Sequence, residues 1–292
     1  MLSDARAALI KIKRRFCQSE WPRPSHKLAL DREPKFVFIF TPPYSGSTAL
    51  AKVLNSAWSS MALTSDCEGQ WLVPGLCKSD RWDPGKWVDW ESVRLTWLSK
   101  VRMVEELTGK ARIVIEKSPP NLVRHNELLA TFPNHEIIVF NRNPFANCSS
   151  ILYRNYPAED MSDNDRLEIL ENLAKKWINR SSYAMKVSSL HSSLTITYEQ
   201  FCADSSGIVK MLIDRIPSLQ GIDPDLEIRV KDYPAQKITN FNNVQISKLT
   251  PREIEMIGIV LSKHEALLNQ FQYTSDWRKD IKEGGASSRT SA

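Results

Sequence analysis

The sequence predicts an α/β protein, three layers deep (α/β/α), around a central parallel sheet. Three observations carry that expectation. Short apolar runs rich in Val, Ile and Phe alternate with helical patterns, the order that builds parallel strands joined by helical crossovers. The first run, within Phe36–Leu54 (FVFIFTPPYSGSTALAKVL), ends in a Pro/Ser/Gly turn and passes straight into a helix from Ser47. A cation or phenol follows the third, fourth and fifth strands: Lys117, Arg142 and Tyr198. In an open parallel sheet ligands sit beyond the carboxyl ends of the strands, so these residues and the turn converge on one edge.

In chain order, a basic amphipathic pattern over Met1–Cys17 and a polar linker over Trp21–Pro34 precede the strand Phe36–Phe40. A helix is expected over Ser47–Ser59, a short strand over Met61–Thr64, and loop from Gly75 to Trp90. Helical periodicity returns at Glu91–Leu107. The strand Arg112–Glu116 ends in the breaker Lys117-Ser118-Pro119-Pro120, before a helix over Leu122–Thr131. Strand Glu136–Phe140 leads to a helix with Pro144 at its first position, where a missing N–H costs nothing. A long helix over Asp163–Ser189, a strand over Leu194–Thr197, and helices over Ile208–Ile216 and Pro251–Phe271 complete the pattern. An irregular Lys- and Asn-rich stretch, Lys231–Leu249, separates the last two. The expected division is an N-terminal basic helix and linker (1–34), one domain (35–282) and a disordered tail (283–292).

Composition narrows the function. The 292 residues are 42% hydrophobic and 25% charged, ordinary globular values for one large domain. A net charge of +5 suits an anionic ligand and falls short of a nucleic-acid argument, which needs clustered charge on a recognisable module. The five cysteines are odd in number, scattered and without metal-ligand spacing, so reduced thiols and no metal site are expected. No apolar run reaches 18 residues, so no transmembrane segment is expected.

The turn after the first strand is an anion loop by its chemistry. Helix N-terminal N–H groups face an anion, Gly46 permits close approach, and Ser45, Ser47 and Thr48 add hydroxyl donors. It is not a Walker A loop, which needs G-x-x-x-x-G-K and then Ser or Thr. Thr41 stands for the first glycine and Ser47 for the lysine. A Mg-nucleotide cradle is therefore not expected.

Here the residues resemble a family. PPYSGST (Pro42–Thr48) is similar to the 5′-phosphosulfate loop of sulfotransferases, usually P-R-S-G-T-T or P-K-S-G-T-T. Arg142-Asn143-Pro144 with Ser150 resembles that family's 3′-phosphate signature. Glu116-Lys117-Ser118-Pro119 resembles its E-K-S-P segment, and Tyr198-Glu199 its late Y-E pair. The four elements occur in family order over about Phe36–Phe201, while 231–273 fits only loosely.

The resemblance implies a P-loop-like sulfotransferase fold and transfer of a sulfuryl group from 3′-phosphoadenosine 5′-phosphosulfate (PAPS), giving adenosine 3′,5′-bisphosphate (PAP) without a metal. Pro43, Tyr44, Ser45, Gly46, Ser47, Thr48 and Lys117 are then expected at the 5′ end of the cofactor. Arg142 and Ser150 are expected at the 3′-phosphate, and Tyr198 among the cofactor residues. Lys231 and Lys237 are further candidates.

The general base departs from the pattern of cytosolic sulfotransferases, which place a His two residues after the lysine. Pro119 stands there, and His125 in the next helix reads as structural. Ser65–Pro74 (SDCEGQWLVP) instead resembles the segment of tyrosylprotein sulfotransferases that carries a catalytic Glu. That correspondence makes Glu68 the expected base, with Asp66 as its neighbour and rival. A Trp-lined cleft is expected to raise its pKa. A second departure is Tyr44, where the family usually has Lys or Arg. Five of the nine tryptophans (Trp71, Trp82, Trp87, Trp90, Trp97) follow this segment and read as an acceptor cap over 71–97, or as large packing residues in an irregular loop.

The expected acceptor is a hydroxyl or amine of a small molecule, in the cytoplasm, with no nucleic-acid partner, no transmembrane segment and a homodimer allowed. Peptide tyrosine and saccharide acceptors stay open. A degenerate nucleotide kinase and an inactive nucleotide-binding module are the readings from other classes.

Overall fold

Five parallel strands form the sheet among the described residues: β1 (Lys35–Phe40), β2 (Ser60–Ala62), β3 (Ile113–Glu116), β4 (His135–Asn141) and β5 (Leu194–Thr197), in the order β2-β3-β1-β4-β5. The structure, a computed structural model, describes residues 33–108, 112–229 and 234–278. The expected basic helix over Met1–Cys17, the tail from 283 and Lys231 lie outside them.

β1 explains why the layers form. Its side chains alternate with the strand period of two: Phe36, Phe38 and Phe40 enter one core, Val37 and Ile39 the other, and all five are buried. A strand apolar on both faces needs cover on both. On the Phe face, Phe36 meets Phe132 at 4.4 Å between ring centroids, and Trp97 stacks on Phe132 at 5.1 Å. That core is closed by α2 (Trp90–Thr108), α3 (His125–Thr131), α4 (Pro144–Asn155), α5 (Asp163–Leu190), α9 (Pro251–Leu261) and α10 (Glu265–Gln270). The Val/Ile face is covered by α1 (Ser47–Leu54), α6 (Tyr198–Ala203) and α7 (Ser205–Arg215).

Local chemistry sets the helix starts. Pro144 occupies the first turn of α4, and the Asn143 side chain accepts from the N–H groups of Phe145 and Ala146. Capping boxes open α6 (Thr197 with Gln200) and α9 (Thr250 with Glu253).

Several expected boundaries move. The first helix stops at Leu54 rather than Ser59, and the Ser56 hydroxyl bonds back to the Val53 carbonyl. The segment expected as helix from Leu122 begins as a 3₁₀ turn, Pro119–Arg124, and the α-helix starts only at His125. The 251–271 helix breaks at a 3₁₀ turn, Ser262–His264, into α9 and α10. Within the stretch expected to be irregular, α8 (Asn242–Ile246) forms.

Candidate active site

The sheet changes direction at β1: the chain runs to β2 and β3 on one side, then to β4 and β5 on the other. The carboxyl ends of β1, β3, β4 and β5 open into a cleft of about 920 Å³. That is near the upper end of the roughly 300–1,000 Å³ usual for ligand pockets. Pro43, Tyr44, Gly46, Ser47, Thr48, Glu68, Lys117, Arg142, Ser150 and Tyr198, all expected at the site, line this one cleft. Ser45 lies beneath it, fully buried, its hydroxyl 3.4 Å from Asn147 Nδ2. Nine Lys and Arg side chains line it against two carboxylates, Asp66 and Glu68, so its complement is a polyanion.

The anion loop is held open by its backbone. Gly46 caps α1 with φ 82°, and a Cβ there would lie 2.5 Å from Tyr198 Cδ2. Both the conformation and the space require glycine. Tyr44 also has a positive φ, 64°. Its carbonyl accepts from Arg142 Nη1 at 3.2 Å, and its hydroxyl donates to Asn155 Oδ1 at 2.7 Å. Asn147, inside α4, donates to the Pro43 carbonyl at 2.8 Å, which ties the loop to that helix.

At the end of β3, Lys117 is 2% exposed and donates to Glu68 Oε1 at 2.8 Å and Thr48 Oγ1 at 3.0 Å. The side chains on either side of it fasten the Glu68 segment. Glu116 Oε2 accepts from the Gly69 N–H at 2.6 Å, and Ser118 Oγ from the Gln70 N–H at 3.1 Å. Glu68 Oε2 accepts from Gln70 Nε2 at 2.6 Å and Trp71 Nε1 at 3.0 Å. The expectation of a raised Glu68 pKa is corrected. Burial does push it up, but the Lys117 ammonium and the bonds from Lys117, Gln70 and Trp71 hold it below the usual carboxylate range. The raised carboxyl is Glu116 behind it: fully buried and close to Glu68, it is pushed up to about 7. Asp66, the rival base, is exposed.

At the end of β4, Arg142 is 6% exposed. It donates from Nε to Asn242 Oδ1 at 2.8 Å, and its Cζ lies 4.5 Å over the Tyr198 ring. Its Nη2 is buried with no hydrogen-bond partner among the described residues. A buried guanidinium N–H without an acceptor is costly, and a phosphate oxygen would satisfy it. Tyr198 is locked by donating to the Thr239 carbonyl at 2.7 Å and accepting from the Phe241 N–H at 3.2 Å.

His125 is structural, as expected: it is buried, with Nδ1 2.9 Å from the Leu122 carbonyl. Pro119 lines the cleft where a histidine base would otherwise stand. The five tryptophans divide. Trp71 and Trp82 line the cleft, Trp87 is 79% exposed, Trp90 packs on the core edge, and Trp97 is a core residue. Trp97 and Trp87 are therefore not part of a cleft wall. Among the described residues no group of three or more His, Cys, Asp and Glu is arranged for a metal, and no helix is long and apolar enough to cross a membrane.

Sequence reasoning missed Asn242, Asn147, Arg81 and Arg180. Asn242 comes from an Asn-rich stretch with no periodicity, and Glu199, on which Asn242 and Tyr273 converge, marks that region only as half of the Y-E pair. Arg81 sits in the Trp-rich loop, and Arg180 at the edge of the buried face of a long helix, where a long cationic side chain commonly reaches out to solvent and so carries no signal.

A family model described as the sulfotransferase family matches residues 34–217, more than half of the chain. Sulfotransferase STF9 from Mycobacterium avium superposes with a TM-score of 0.54 at 11% identity, covering 92% of this chain and 82% of that one. For sulfotransferase STF1 from Mycobacterium tuberculosis the TM-score is 0.51 at 12% identity, covering 82% of this chain and 77% of that one. At such identities the likeness speaks to the fold. No curated protein sequence is a significant match. The loop, the cation beyond each of two strands and the matched segment agree: this chain belongs to the sulfotransferase family.

Proposed function

We propose that the protein transfers the sulfuryl group of PAPS to a hydroxyl or amine of a small-molecule acceptor, with Glu68 as general base. One observation carries the reading: a buried Lys117 ammonium bridges Thr48, at the start of the anion-loop helix, and Glu68, facing the open cleft. When bound, the donor supplies a sulfur–oxygen bond whose breaking leaves negative charge on its 5′-phosphate. Lys117, the hydroxyls of Ser47 and Thr48 and the first N–H groups of α1 face that charge. Arg142 Nη2 and Ser150, on the first turns of α4, would hold the 3′-phosphate.

Glu68 takes the proton as the acceptor's O–H or N–H bond breaks and its new bond to sulfur forms. While paired with Lys117 it is a weak base for that task. Lys117 removes the obstacle when it turns its ammonium to the leaving phosphate. Glu68 then loses its main opposing charge, and burial, which raises it, is opposed only by the bonds from Gln70 and Trp71. A reducing, cytoplasmic setting suits the free thiols Cys67, Cys77, Cys148 and Cys202.

Thermal unfolding tests the donor site, because a ligand that binds only the folded state raises its apparent stability. Adenosine 3′,5′-bisphosphate is expected to stabilise the wild type more than ATP–Mg does, and to lose most of that effect in Arg142→Ala. No shift with the bisphosphate, or a shift that Arg142→Ala leaves intact, would overturn the donor.

A further inference from the structure

The proposed transfer uses Lys117 and Arg142 of the nine cations that line the cleft, and two of the others stand out. Arg81, in the loop after the 3₁₀ turn Gly69–Leu72, and Arg180, on α5, both line it. Each is seated on a tryptophan: Arg81 Cζ lies 5.0 Å from the centre of the Trp71 ring, and Arg180 Cζ 4.3 Å from that of Trp82. Trp71 also donates to Glu68, so this pair belongs to the base's end of the cleft.

Three features set them apart from ordinary surface arginines. Both are half-buried, and neither has a carboxylate partner among the described residues. Arg81 Nε is buried with no hydrogen-bond partner there. Glu68, the carboxylate whose charge acts on Arg81, is committed to Lys117. The two also repel: burial and the charge of Arg81 lower Arg180 to about 10, which leaves it a cation at neutral pH. Two half-buried like charges without a counter-ion are unfavourable, and a rigid mount keeps them together. Arg124, 6% exposed, donates to the carbonyls of Arg81 at 2.6 Å, Asp80 at 3.3 Å and Asp83 at 2.5 Å, fixing the loop. Its companion Trp82 follows Arg81 directly. Planar guanidinium forks on fixed seats match the oxygens of a carboxylate or phosphate.

We infer that Arg81 and Arg180 form an anion subsite in the acceptor half of the cleft, so that the acceptor is a hydroxyl or amino compound carrying a carboxylate or phosphate group. The inference rests on the sulfuryl-transfer reading, in which Lys117 and Arg142 serve the donor. It narrows the acceptor from any alcohol or amine to an anionic one, held by its charge with its nucleophile beside Glu68.

The test uses the full chain saturated with adenosine 3′,5′-bisphosphate, so that the donor's own phosphate sites are filled. Calorimetric titrations with benzoate, with inorganic phosphate and with neutral benzamide at fixed ionic strength then probe the subsite. Benzoate or phosphate is expected to bind, benzamide is not, and the affinity is expected to fall at least tenfold in Arg81→Gln and in Arg180→Gln. Arg180→Lys, which keeps the charge without the fork, is expected to fall between. The stronger of the two anions identifies the group. Binding of neither anion, or binding indifferent to both substitutions, would overturn the subsite. Loss of bisphosphate affinity in Arg81→Gln or Arg180→Gln would also overturn it, by assigning these arginines to the donor. Failure of the wild type to bind the bisphosphate would instead count against the donor reading.

Discussion

Glu68 and Lys117 form an ion pair at the cleft, and the Lys117 ammonium lowers the Glu68 pKa. In the proposed reaction an anion that draws Lys117 away would make Glu68 a stronger base. Glu68→Gln, which keeps the acceptor atoms for Trp71 but cannot take a proton, is expected to bind the bisphosphate like the wild type. Its turnover should fall about 10²–10⁴-fold, the usual worth of a general base. Steady-state rates alongside bisphosphate titrations check this. Glu116 makes the opposite prediction for stability. Its pKa in the fold, about 7, lies above the ordinary value of 4.5, so between those limits the unfolded chain releases a proton that the folded chain keeps. Stability contributed by this group is complete below pH 4.5 and is lost as pH rises towards 7, by roughly 3 kcal/mol. Denaturant unfolding from pH 4.5 to 8 should show that loss in the wild type and not in Glu116→Gln. Tyr44, the departure from the family's Lys or Arg, answers through its backbone, which meets Arg142, while its hydroxyl is spent on Asn155.

Among the elements, the anion loop and the Trp-rich segment make separable predictions. Gly46→Ala forces an L-residue to φ 82° with its methyl carbon in the Tyr198 ring. The backbone term alone costs about 1–2 kcal/mol, and the ring must shift from its bond to Thr239. A lowered Tm together with lost bisphosphate binding is expected, and intact binding would mean that the loop is not the phosphate cradle. Trp97 and Trp82 come from the same Trp-rich stretch but do different work. Trp97→Ala removes a core ring stacked on Phe132 and should cost about 3–5 kcal/mol in denaturant unfolding. Trp82→Ala removes the seat of Arg180 and a half-buried contact at the edge of the core, so it should cost less stability than Trp97→Ala.

On the scale of the whole molecule, the sheet and the functional ends of its strands were legible because both follow from strong local signals. The two-sided apolar runs demand a covered parallel sheet, and that sheet in turn assigns Lys117, Arg142 and Tyr198 to one edge. The strand Leu194–Thr197 is found at the expected residues. Helix ends were less legible, since Ser56 and Ser262 end helices through side-chain bonds to carbonyls that no periodicity reports. The partners of Arg142 and the pair Arg81–Arg180 were not legible at all. They meet across long sequence separations, and only the packing of α5 on β4 and of α8 on α4, with the loop that Arg124 fixes, brings them to the cleft. The direction of the Glu68 shift was misread for the same reason: Trp71 is a neighbour in sequence, but Lys117 is one only in space.

The measurement that tests the central claim most directly is transfer of labelled sulfuryl from PAPS to a panel of phenols, alcohols and amines, neutral and anionic, followed by release of adenosine 3′,5′-bisphosphate. The account predicts transfer by the wild type, with anionic members preferred, and transfer about 10²–10⁴-fold slower by Glu68→Gln protein that still binds the bisphosphate. A wild type that binds the bisphosphate yet transfers to no member of the panel, or a Glu68→Gln variant that transfers at the wild-type rate, would contradict it.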